Sequence, residues 1–387
     1  MALPSDDVGR AALDAAEGPE ALDAAVRAWL AAHPSPSGAQ LARAGLVAPH
    51  WPAPWGLDAD PAEQLAIDGA LRDAGVSRPL NPIGVGWAGP TLLEGGTAAQ
   101  QDRWLPGILS GEAFWCQLFS EPDAGSDLAS LRTRAVRDGD EWVLTGSKIW
   151  TSYAHVATYG ILLARTDPDA DQHRGISYFV CPMDTPGITT RPIIDMTGAH
   201  AFNEVFFDEA RLPADHLVGD VNDGWRLAKV TLGNERVNLS GEGALWGRGP
   251  TAADLVELSR GHDLAPAQRD ALVRTWSEGK ILSLLRDRLV AAALRGEPPG
   301  PEASVRKALA DDHGQRVMGL GKDLAGTAGL LEGVGPLGLD GLRGAEWHNG
   351  FLYSQALTIG GGTWAVQRNI IGERVLGLPK DPAPRAP

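Results

Sequence analysis

The sequence is poor in cysteine and has no long apolar run. Its 387 residues include two cysteines, Cys116 and Cys181, without a pairing pattern, which fits a reducing cytoplasm and excludes a cysteine-based metal site. We predict no bound metal. No apolar stretch reaches the roughly 18 residues that span a membrane, and the N-terminal segment lacks the basic start and apolar core of a signal peptide. The expected location is therefore the cytoplasm.

Basic residues are in the minority. Lys and Arg number 34 against 49 Asp and Glu, which gives a formal net charge of −15. This charge argues against nucleic-acid and anionic-membrane partners, although a local basic pocket for a phosphate-bearing ligand stays open. A Rossmann nucleotide site is also disfavoured, because the sequence contains no strand–GxGxxG–helix unit.

Three zones with different apolar periods follow one another along the chain. Residues 1–115 are rich in Ala and Leu at helical spacing, as in DPAEQLAIDGALRDAG. Residues 116–222 contain β-branched and aromatic runs separated by Gly, Pro and an Asp-Gly turn, which predicts an antiparallel β-domain. In residues 223–387 the helical period returns, and short connections suggest a helical bundle. We therefore predict an α+β multidomain protein with these three domains.

A dense polar stretch, LFSEPDAGSDLASL, occupies residues 118–131 at the start of the β-zone. It contains Ser120, Glu121, Gly125 and Ser126. At the end of a strand, hydroxyl and main-chain N–H groups can hydrogen-bond a heteroaromatic ring or a phosphate. The alternative is a polar turn whose side chains bond their own backbone.

A second stretch, LTGSKIWTSYA, occupies residues 144–154 and is typical of a strand that ends in Trp150, Thr151 and Ser152. A tryptophan followed by hydroxyls offers a platform for a flat ring. The alternative is a tryptophan packed in the core, and the 13 tryptophans of the chain are compatible with both interpretations.

Together with two further motifs, these stretches resemble the acyl-CoA dehydrogenase family over nearly the whole chain. SEPDAGSD and GSKIWTS are similar to the segments that flank the flavin. TIGGGTWAVQRNIIGERVLGLP is similar in spacing to the C-terminal signature, and DLAGTAGLL looks like its partner glycine stretch. APHWPAPWG and RPLNPIG look most like the actinobacterial branch that acts on steroid side chains and other bulky acyl groups.

This resemblance implies a helical N-terminal domain, a middle β-barrel and a C-terminal four-helix bundle. It also implies FAD as cofactor, an acyl-CoA or acyl-carrier substrate, and electron-transfer flavoprotein as electron acceptor. Members of the family are dimers or tetramers with flavin sites at subunit interfaces. We therefore expect a homo-oligomer or an assembly with a homologous second chain.

Residues that match the flavin motifs of the family are expected to bind the cofactor. In the family, hydroxyls at the positions of Ser120 and Ser152 hydrogen-bond the flavin ring, and the residue at the position of Trp150 packs beside it. The full set of cofactor residues that the resemblance implies is Phe119, Ser120, Ser126, Trp150, Ser152, Asp323, Gly326 and Thr363.

Some positions depart from the family pattern. Ser152 stands where many members have Thr, Asp323 replaces a frequent Gln, and Ala365 replaces a polar residue. These departures affect the adenosine end of the FAD site more than the ring end. For the arginine that often contacts the FAD pyrophosphate, the candidates in this region are Arg269 and Arg274.

The base of the family reaction is missing from its usual place. In that reaction a base takes the α-proton of a thioester while hydride moves from Cβ to flavin N5, and hydrogen bonds to the carbonyl stabilise the developing charge. Many members hold this base as the Glu of a YEGT turn, where this chain has residues 360–363, GGGT. The Glu position is Gly361, so the chain is either inactive or takes its base from elsewhere.

Glu235 is the predicted base. It shares one face of a helix predicted over about 224–245 with Thr231 and several apolar residues, at about 3.6-residue spacing. A carboxylate in a dry pocket has a raised pKa that suits proton abstraction. Glu235 and Arg236 also match the ER motif in which a minority of the family, including isovaleryl and long-chain types, holds its base. The alternative is a Glu paired with a neighbouring Arg at a subunit contact.

Substrate contacts are expected from Ser126, Arg236 and Gly361, and three glycines beside the flavin suggest space for a bulky acyl group. The other carboxylates near the motifs are weaker candidates for the base, because they are typical of a strand, a neighbouring helical turn and a solvated turn: Glu204, Glu242 and Glu373.

Four functions stay open at this point. The leading one is an FAD-dependent acyl-CoA dehydrogenase that passes electrons to electron-transfer flavoprotein. The others are a subunit of a heteromeric dehydrogenase, a flavin oxidase or monooxygenase on the same fold, and a non-catalytic protein that has lost the flavin. The presence of the motif hydroxyls, the motif tryptophan and Glu235 argues against the last.

Overall fold

The structure is a computed structural model that describes residues 8–238, 244–245, 249–260, 262–295, 300–330 and 343–380. For residues 8, 234–238, 293, 328–329 and 343–346 it describes the backbone only. The chain divides into two compact units: the first is Met1–Asp195 with His200–Asn234, and the second is Met196–Ala199 with Glu235–Pro387.

Six helices open the first unit: α1 (Val8–Asp14), α2 (Pro19–Ala32), α3 (Gly38–Arg43), α4 (Pro61–Asp73), α5 (Gly89–Gly95) and α6 (Ala98–Ser110). Capping boxes determine where three of them begin. The side chains of Ser37, Asp60 and Thr97 each accept the N–H of the residue three positions further on. The side chain of that residue in turn accepts the N–H of the cap residue. The local sequence therefore determines where α3, α4 and α6 begin.

One eight-stranded sheet completes the first unit: β1 (Trp115–Leu118), β2 (Arg134–Asp138), β3 (Glu141–Ser152), β4 (Tyr159–Arg165), β5 (Ile176–Pro182), β6 (Ile188–Ile193), β7 (Phe202–Pro213) and β8 (Leu217–Val218). Its order is β6-β7-β3-β2-β4-β5-β8, and β1 pairs in parallel with β4. An Asp-Gly turn joins β2 to β3 as an antiparallel hairpin. Strand β3 also pairs with β7, so its residues are held from two sides.

Tryptophans fill the core of the first unit. Trp29, Trp51, Trp104 and Trp115 are buried in one apolar cluster that joins the helices to the first strand. Aromatic side chains bury a large area each, so they contribute strongly to such a core. For these residues, the interpretation of tryptophan as core filler is correct.

The second unit is built of helices. Helix α7 (Gly224–Asn238) begins in the first unit and ends in the second. It is followed by α8 (Ala252–Ser259), α9 (Pro266–Leu294), α10 (Ala303–Leu324), α11 (Arg343–Ser354) and α12 (Trp364–Ile370). The core of this unit includes Leu255, Val317, Met318 and Trp347.

The predicted α+β class, with helices before and after a sheet, is confirmed by this architecture. The helix predicted over about 224–245 is described as far as Asn238. The three domain boundaries stay a prediction. Among the described residues, none of the helices is long and apolar enough to cross a membrane.

Two glycines in α10 provide a matched test of packing in the second unit. An added Cβ on Gly321 would overlap the ring of Trp347, whereas one on Gly319 would meet no atom within 4 Å. We expect Gly321→Ala to lower the free energy of unfolding by about 1–3 kcal/mol because the site is already full. Gly319→Ala should raise it by about 0.5–1 kcal/mol, since Ala favours a helix.

Chemical denaturation of both variants beside the wild type measures these differences. Equal effects of the two substitutions would contradict the packing of α10 against α11.

Candidate functional site

A buried ion pair anchors the loop that follows β1. The ammonium of Lys148, fully buried on β3, lies 2.8 Å from a carboxylate oxygen of Glu121 and donates to the carbonyl of Phe119 at 3.0 Å. The carboxylate of Glu121 also accepts the main-chain N–H groups of Arg132 and Thr133, at 2.6 and 2.9 Å. Both ends of this loop are therefore tied to the centre of the sheet.

Burial and pairing shift the pKa values of both Lys148 and Glu121. Burial lowers the pKa of Lys148 to about 8, and Glu121 offsets only part of this effect. Burial alone would raise the pKa of Glu121, but the charge of Lys148 and the hydrogen bonds from Thr133 and Arg132 lower it overall. Both groups are thus charged near neutral pH, and a charge-assisted hydrogen bond joins them.

The sequence contains a signal for this pair that motif comparison misses. On β3, Trp142, Leu144 and Lys148 share the buried face, as expected for alternate residues of a strand. A lysine on such a face needs a partner for its charge. The SEPDAGSD loop supplies it, yet Lys148 is not part of the site predicted from the sequence.

A bulge in β3 follows the anchor directly. The pairing of β3 with β7 is irregular between Lys148 and Thr151. Trp150, inside this bulge, has φ +60°, a left-handed conformation that is rare for a bulky residue. Its side chain is 57% exposed and lies edge-on to Phe202 at 6.1 Å between ring centroids. The bulge therefore turns an aromatic side chain out of the sheet.

Hydrogen bonds on both sides hold the bulge. The N–H of Ile149 donates to the carbonyl of Ser120 at 2.9 Å. The side-chain amide of Asn203 donates to the carbonyl of Thr151 at 3.1 Å. An unusual backbone conformation persists only where its surroundings determine it in this way. The same bonds bring Ser120 next to the segment that carries Trp150.

Three serine hydroxyls of the predicted site have no hydrogen-bond partner among the described residues. Within the described part of the chain, Ser120, Ser126 and Ser152 form no side-chain hydrogen bond; the first and third are half-buried and Ser126 is exposed. A Cβ added to Gly125 would meet no atom within 4 Å, so the main chain there is open. Free hydroxyls can hydrogen-bond the polar edge of a flat heteroaromatic ring, and an exposed indole can stack on its face.

Phe119 packs inward. Its side chain is buried and meets the ring of Tyr178 edge-on at 6.1 Å. The hydroxyl of Tyr178 lies 3.1 Å from that of Thr231 on α7, which lies 2.8 Å from that of Thr91 on α5. A contact between Phe119 and a cofactor would therefore use its main chain, because its ring belongs to the core.

The glycine loop of the second unit forms the entrance to α12. Gly361 and Gly362 have φ of +65° and +90°, which glycine adopts without strain. The amide of Gln367 donates to both of their carbonyls, at 3.1 and 3.3 Å. The hydroxyl of Thr363 caps α12 by accepting the N–H of Val366 at 3.3 Å. The segment 358–363 contains no carboxylate, so it cannot supply a base.

A second buried ion pair supports this loop from α10. The ammonium of Lys307 lies 2.6 Å from the carboxylate of Asp311, one turn further along the helix. It also donates to the carbonyl of Leu357, just before the glycine loop, at 3.4 Å. Burial raises the pKa of Asp311 to about 6; the charge of Lys307 opposes this rise and that of Asp312 adds to it.

The remaining predicted cofactor residues lie at the end of α10. Asp323 is exposed in the last turn of the helix. Gly326 has φ +57°, and a Cβ added there would meet no atom within 4 Å. Arg269 and Arg274 are exposed on α9, and Arg274 pairs with Asp270 at 2.8 Å. Neither arginine is singled out as a pyrophosphate ligand.

Glu235 and Arg236 lie near the end of α7, four and five residues after Thr231. Their backbone belongs to the helix that the sequence predicts. Their side chains lie outside the described residues, and so does the whole of Glu242. The roles predicted for Glu235 and Arg236 therefore stay predictions.

Two rival carboxylates belong to regular elements. Glu204 on β7 forms an ion pair with Arg191 on β6, as expected for a structural residue on paired strands. Glu373 is half-buried in the π-helical turn Ile371–Val375 at the end of α12. The ion pair therefore accounts for Glu204 as a structural residue that needs no catalytic role.

Fold and surface together define a class of protein. The fold consists of helices, then one sheet, then further helices. A bulge in one strand carries an exposed indole and free hydroxyls, and this surface suits a flat heteroaromatic ligand. Three family descriptions match in the same order: "Acyl-CoA dehydrogenase, N-terminal domain" over residues 19–112, "middle domain" over 116–210 and "C-terminal domain" over 222–376. The chain belongs to the acyl-CoA dehydrogenase family.

Several known proteins are similar to the chain. Acyl-CoA dehydrogenase FadE34 of Mycobacterium tuberculosis is 46% identical over 340 residues, which are 88% of this chain and 46% of that protein. Acyl-CoA dehydrogenase IpdE1 of the same organism is 40% identical over 349 residues, 88% of this chain and 87% of that protein. The solved structure "Tcur3481-Tcur3483 steroid ACAD" has a TM-score of 0.76 at 31% identity, and the match covers 94% of this chain and 98% of that one.

This chain thus spans about half the length of FadE34 and most of the length of IpdE1. The similarities confirm the predicted family, and the relatives are acyl-CoA dehydrogenases by name. The residues assigned from the sequence to the base, the cofactor and the substrate stay predictions.

The raised pKa of Asp311 predicts how the second unit responds to pH. Between about pH 4 and 6 the folded chain holds a proton on Asp311 that the unfolded chain has lost, so stability falls as the pH rises through this window. In Asp311→Asn this contribution is absent. Relative to the wild type, the variant should therefore gain about 2 kcal/mol in free energy of unfolding from pH 4 to pH 7.

Urea denaturation at several pH values measures this difference. Parallel stability profiles of the wild type and the variant would show that Asp311 titrates normally.

Proposed function

We propose that this chain oxidises the Cα–Cβ bond of a bulky acyl-CoA thioester, with FAD as its cofactor and Glu235 as its base. The observation that carries the proposal is the surface at the bulge of β3. There the exposed indole of Trp150 belongs to the same segment as the free hydroxyl of Ser152, and Ser120 is hydrogen-bonded to it through Ile149.

The residues present fit an isoalloxazine ring. Such a ring needs hydrogen bonds at its polar edge and a flat apolar neighbour, and Ser120, Ser152 and Trp150 provide these groups. The open main chain at Gly125 allows a close approach of ligand atoms. When bound, FAD would accept the hydride that leaves Cβ. Other parts of the cofactor are assigned to Ser126 and to residues of the second unit: Asp323, Gly326 and Thr363.

Glu235 is proposed to take the α-proton. A thioester α-proton is barely acidic in water, so the base needs a raised pKa and the carbonyl needs hydrogen-bond donors. The glycine loop supports this assignment, because Gly361 has no side chain and its φ of +65° favours glycine. Arg236 is proposed to orient Glu235 or to contact the thioester carbonyl, and substrate contacts are also assigned to Ser126 and Gly361.

The acyl group is proposed to be bulky. Gly360 and Gly361 present no side chain, which would leave room for an acyl group, whereas an added Cβ on Gly362 would meet the amide of Gln367. A similar solved structure is a steroid ACAD by name, which agrees with a ring-bearing acyl chain. A crystal structure with a short, narrow pocket would contradict this part of the proposal.

An assembly of more than one chain is proposed from α9. This helix has exposed apolar side chains along its length: Val273, Trp276, Ile281, Leu284 and Leu294. Exposed apolar surface of this extent marks contacts with other proteins. We infer a second copy or a homologous second chain; the similar steroid ACAD carries two protein names, which favours the latter. Electron-transfer flavoprotein is the proposed electron acceptor.

Glu235→Gln tests the proposed base. Gln keeps the shape of the side chain but cannot take a proton, so FAD content should stay unchanged. Anaerobic bleaching of the flavin by a panel of acyl-CoAs should slow by about a hundred- to ten-thousand-fold. Stopped-flow absorbance of the flavin band measures the rate.

Glu204→Gln is the matched control, because the structure pairs Glu204 with Arg191 on the neighbouring strand. It should bleach at the wild-type rate. Unchanged bleaching in Glu235→Gln would remove Glu235 as the base. A wild-type holoprotein that no acyl-CoA bleaches would refute the proposed reaction itself.

A further inference from the structure

The ion pair of Lys148 and Glu121 lies where the loop, the sheet and the bulge meet. Lys148 precedes Trp150 by two residues on β3, and Glu121 directly follows Ser120. Phe119, Ser120 and Trp150, which the sequence predicts as cofactor residues, therefore lie within two residues of the pair.

The pair bonds to the main chain on both of its sides. The ammonium of Lys148 donates to the carbonyl of Phe119, and the carboxylate of Glu121 accepts the N–H groups of Arg132 and Thr133. Removing the ammonium would leave the Phe119 carbonyl and the Glu121 carboxylate without their cation. Removing the carboxylate would leave two N–H groups without an acceptor and Lys148 without a counter-ion.

Stability alone explains such a pair poorly. Taking an ammonium and a carboxylate out of water costs several kcal/mol, and apolar side chains of similar volume often replace a buried pair without loss of stability. Apolar side chains cannot, however, bind a carbonyl and two N–H groups in fixed directions. These directed bonds determine where Ser120 lies relative to the bulge.

We propose that Lys148 and Glu121 are positioning residues for the flavin ring. The pair holds the Ser120 segment against the bulge, so that the Ser120 hydroxyl and the Trp150 indole meet the same ring. Both side chains are buried, so they act through the main chain of their neighbours and do not touch the cofactor. This inference rests on the proposed function, because the ring is that of FAD.

Lys148→Met and Glu121→Gln, purified as full-length holoproteins, test the inference. Lys148→Met fills a similar volume without charge, and the affinity for FAD should fall by about ten-fold or more, as the ring contacts lose their alignment. The visible circular dichroism of the bound flavin should change with it. Glu121→Gln keeps an acceptor and should shift both properties in the same direction by less. It also keeps the test decisive if Lys148→Met fails to fold.

Gln100→Met is the matched control. Gln100 is also buried in the first unit, and its amide holds the carbonyls of Asp215 and Leu217 at 2.8 and 2.7 Å. Among the described residues, it forms no hydrogen bond with a predicted cofactor residue. The control should lower the melting temperature while FAD affinity and the flavin spectrum stay at their wild-type values.

The outcomes separate positioning from stability. If Lys148→Met and Glu121→Gln melt at lower temperature but keep the wild-type FAD affinity and flavin spectrum, the pair is only structural and the inference is wrong. If the wild-type protein holds no FAD, the proposed function fails before this inference is reached.

Discussion

The buried ion pair between Lys148 and Glu121 is the constraint on which the rest of the candidate site depends. Its ammonium and carboxylate hold the carbonyl of Phe119 and the N–H groups at the far end of the loop. Two motifs that are separated along the chain, SEPDAGSD and GSKIWTS, thereby become one surface. The exposure of the Trp150 indole is linked to the same arrangement, because the bulge in β3 begins directly after the anchored Lys148.

The second unit uses a similar device. Lys307, buried on α10 beside Asp311, donates to the carbonyl of Leu357 just before the glycine loop. In each unit a buried lysine therefore donates to a main-chain carbonyl near the candidate site, that of Phe119 beside Ser120 in the first unit and that of Leu357 before the glycine loop in the second. A segment with positive φ is costly to keep in one conformation. A charge-assisted hydrogen bond of fixed direction helps to hold the neighbouring main chain in place. The glycine loop 360–362 contains no carboxylate, and the proposed proton abstraction is therefore assigned to Glu235 on α7.

Local patterns were enough to predict most of the fold. The helical spacing in DPAEQLAIDGALRDAG and the Asp-Gly turn between β2 and β3 predict element types because each acts over a few residues. Strict alternation in β3 would bury Trp150 with Lys148, and the bulge reverses this by exposing the indole. The pairing of Lys148 with Glu121 is a long-range contact, which no local pattern reports. The choice of Glu235 came from family resemblance, since periodicity alone leaves an ion-paired Glu equally possible.

We propose that the surface formed by Ser120, Trp150 and Ser152 holds a flavin. The most direct measurement is the FAD content of the purified wild-type protein, read from its visible flavin absorption and from the FAD released on denaturation, beside a Trp150→Ala variant. We expect a yellow wild-type protein with stoichiometric FAD, and a variant that loses FAD more readily on dilution. A colourless wild-type protein that takes up no added FAD, or a variant that holds FAD as tightly as the wild type, would contradict the claim.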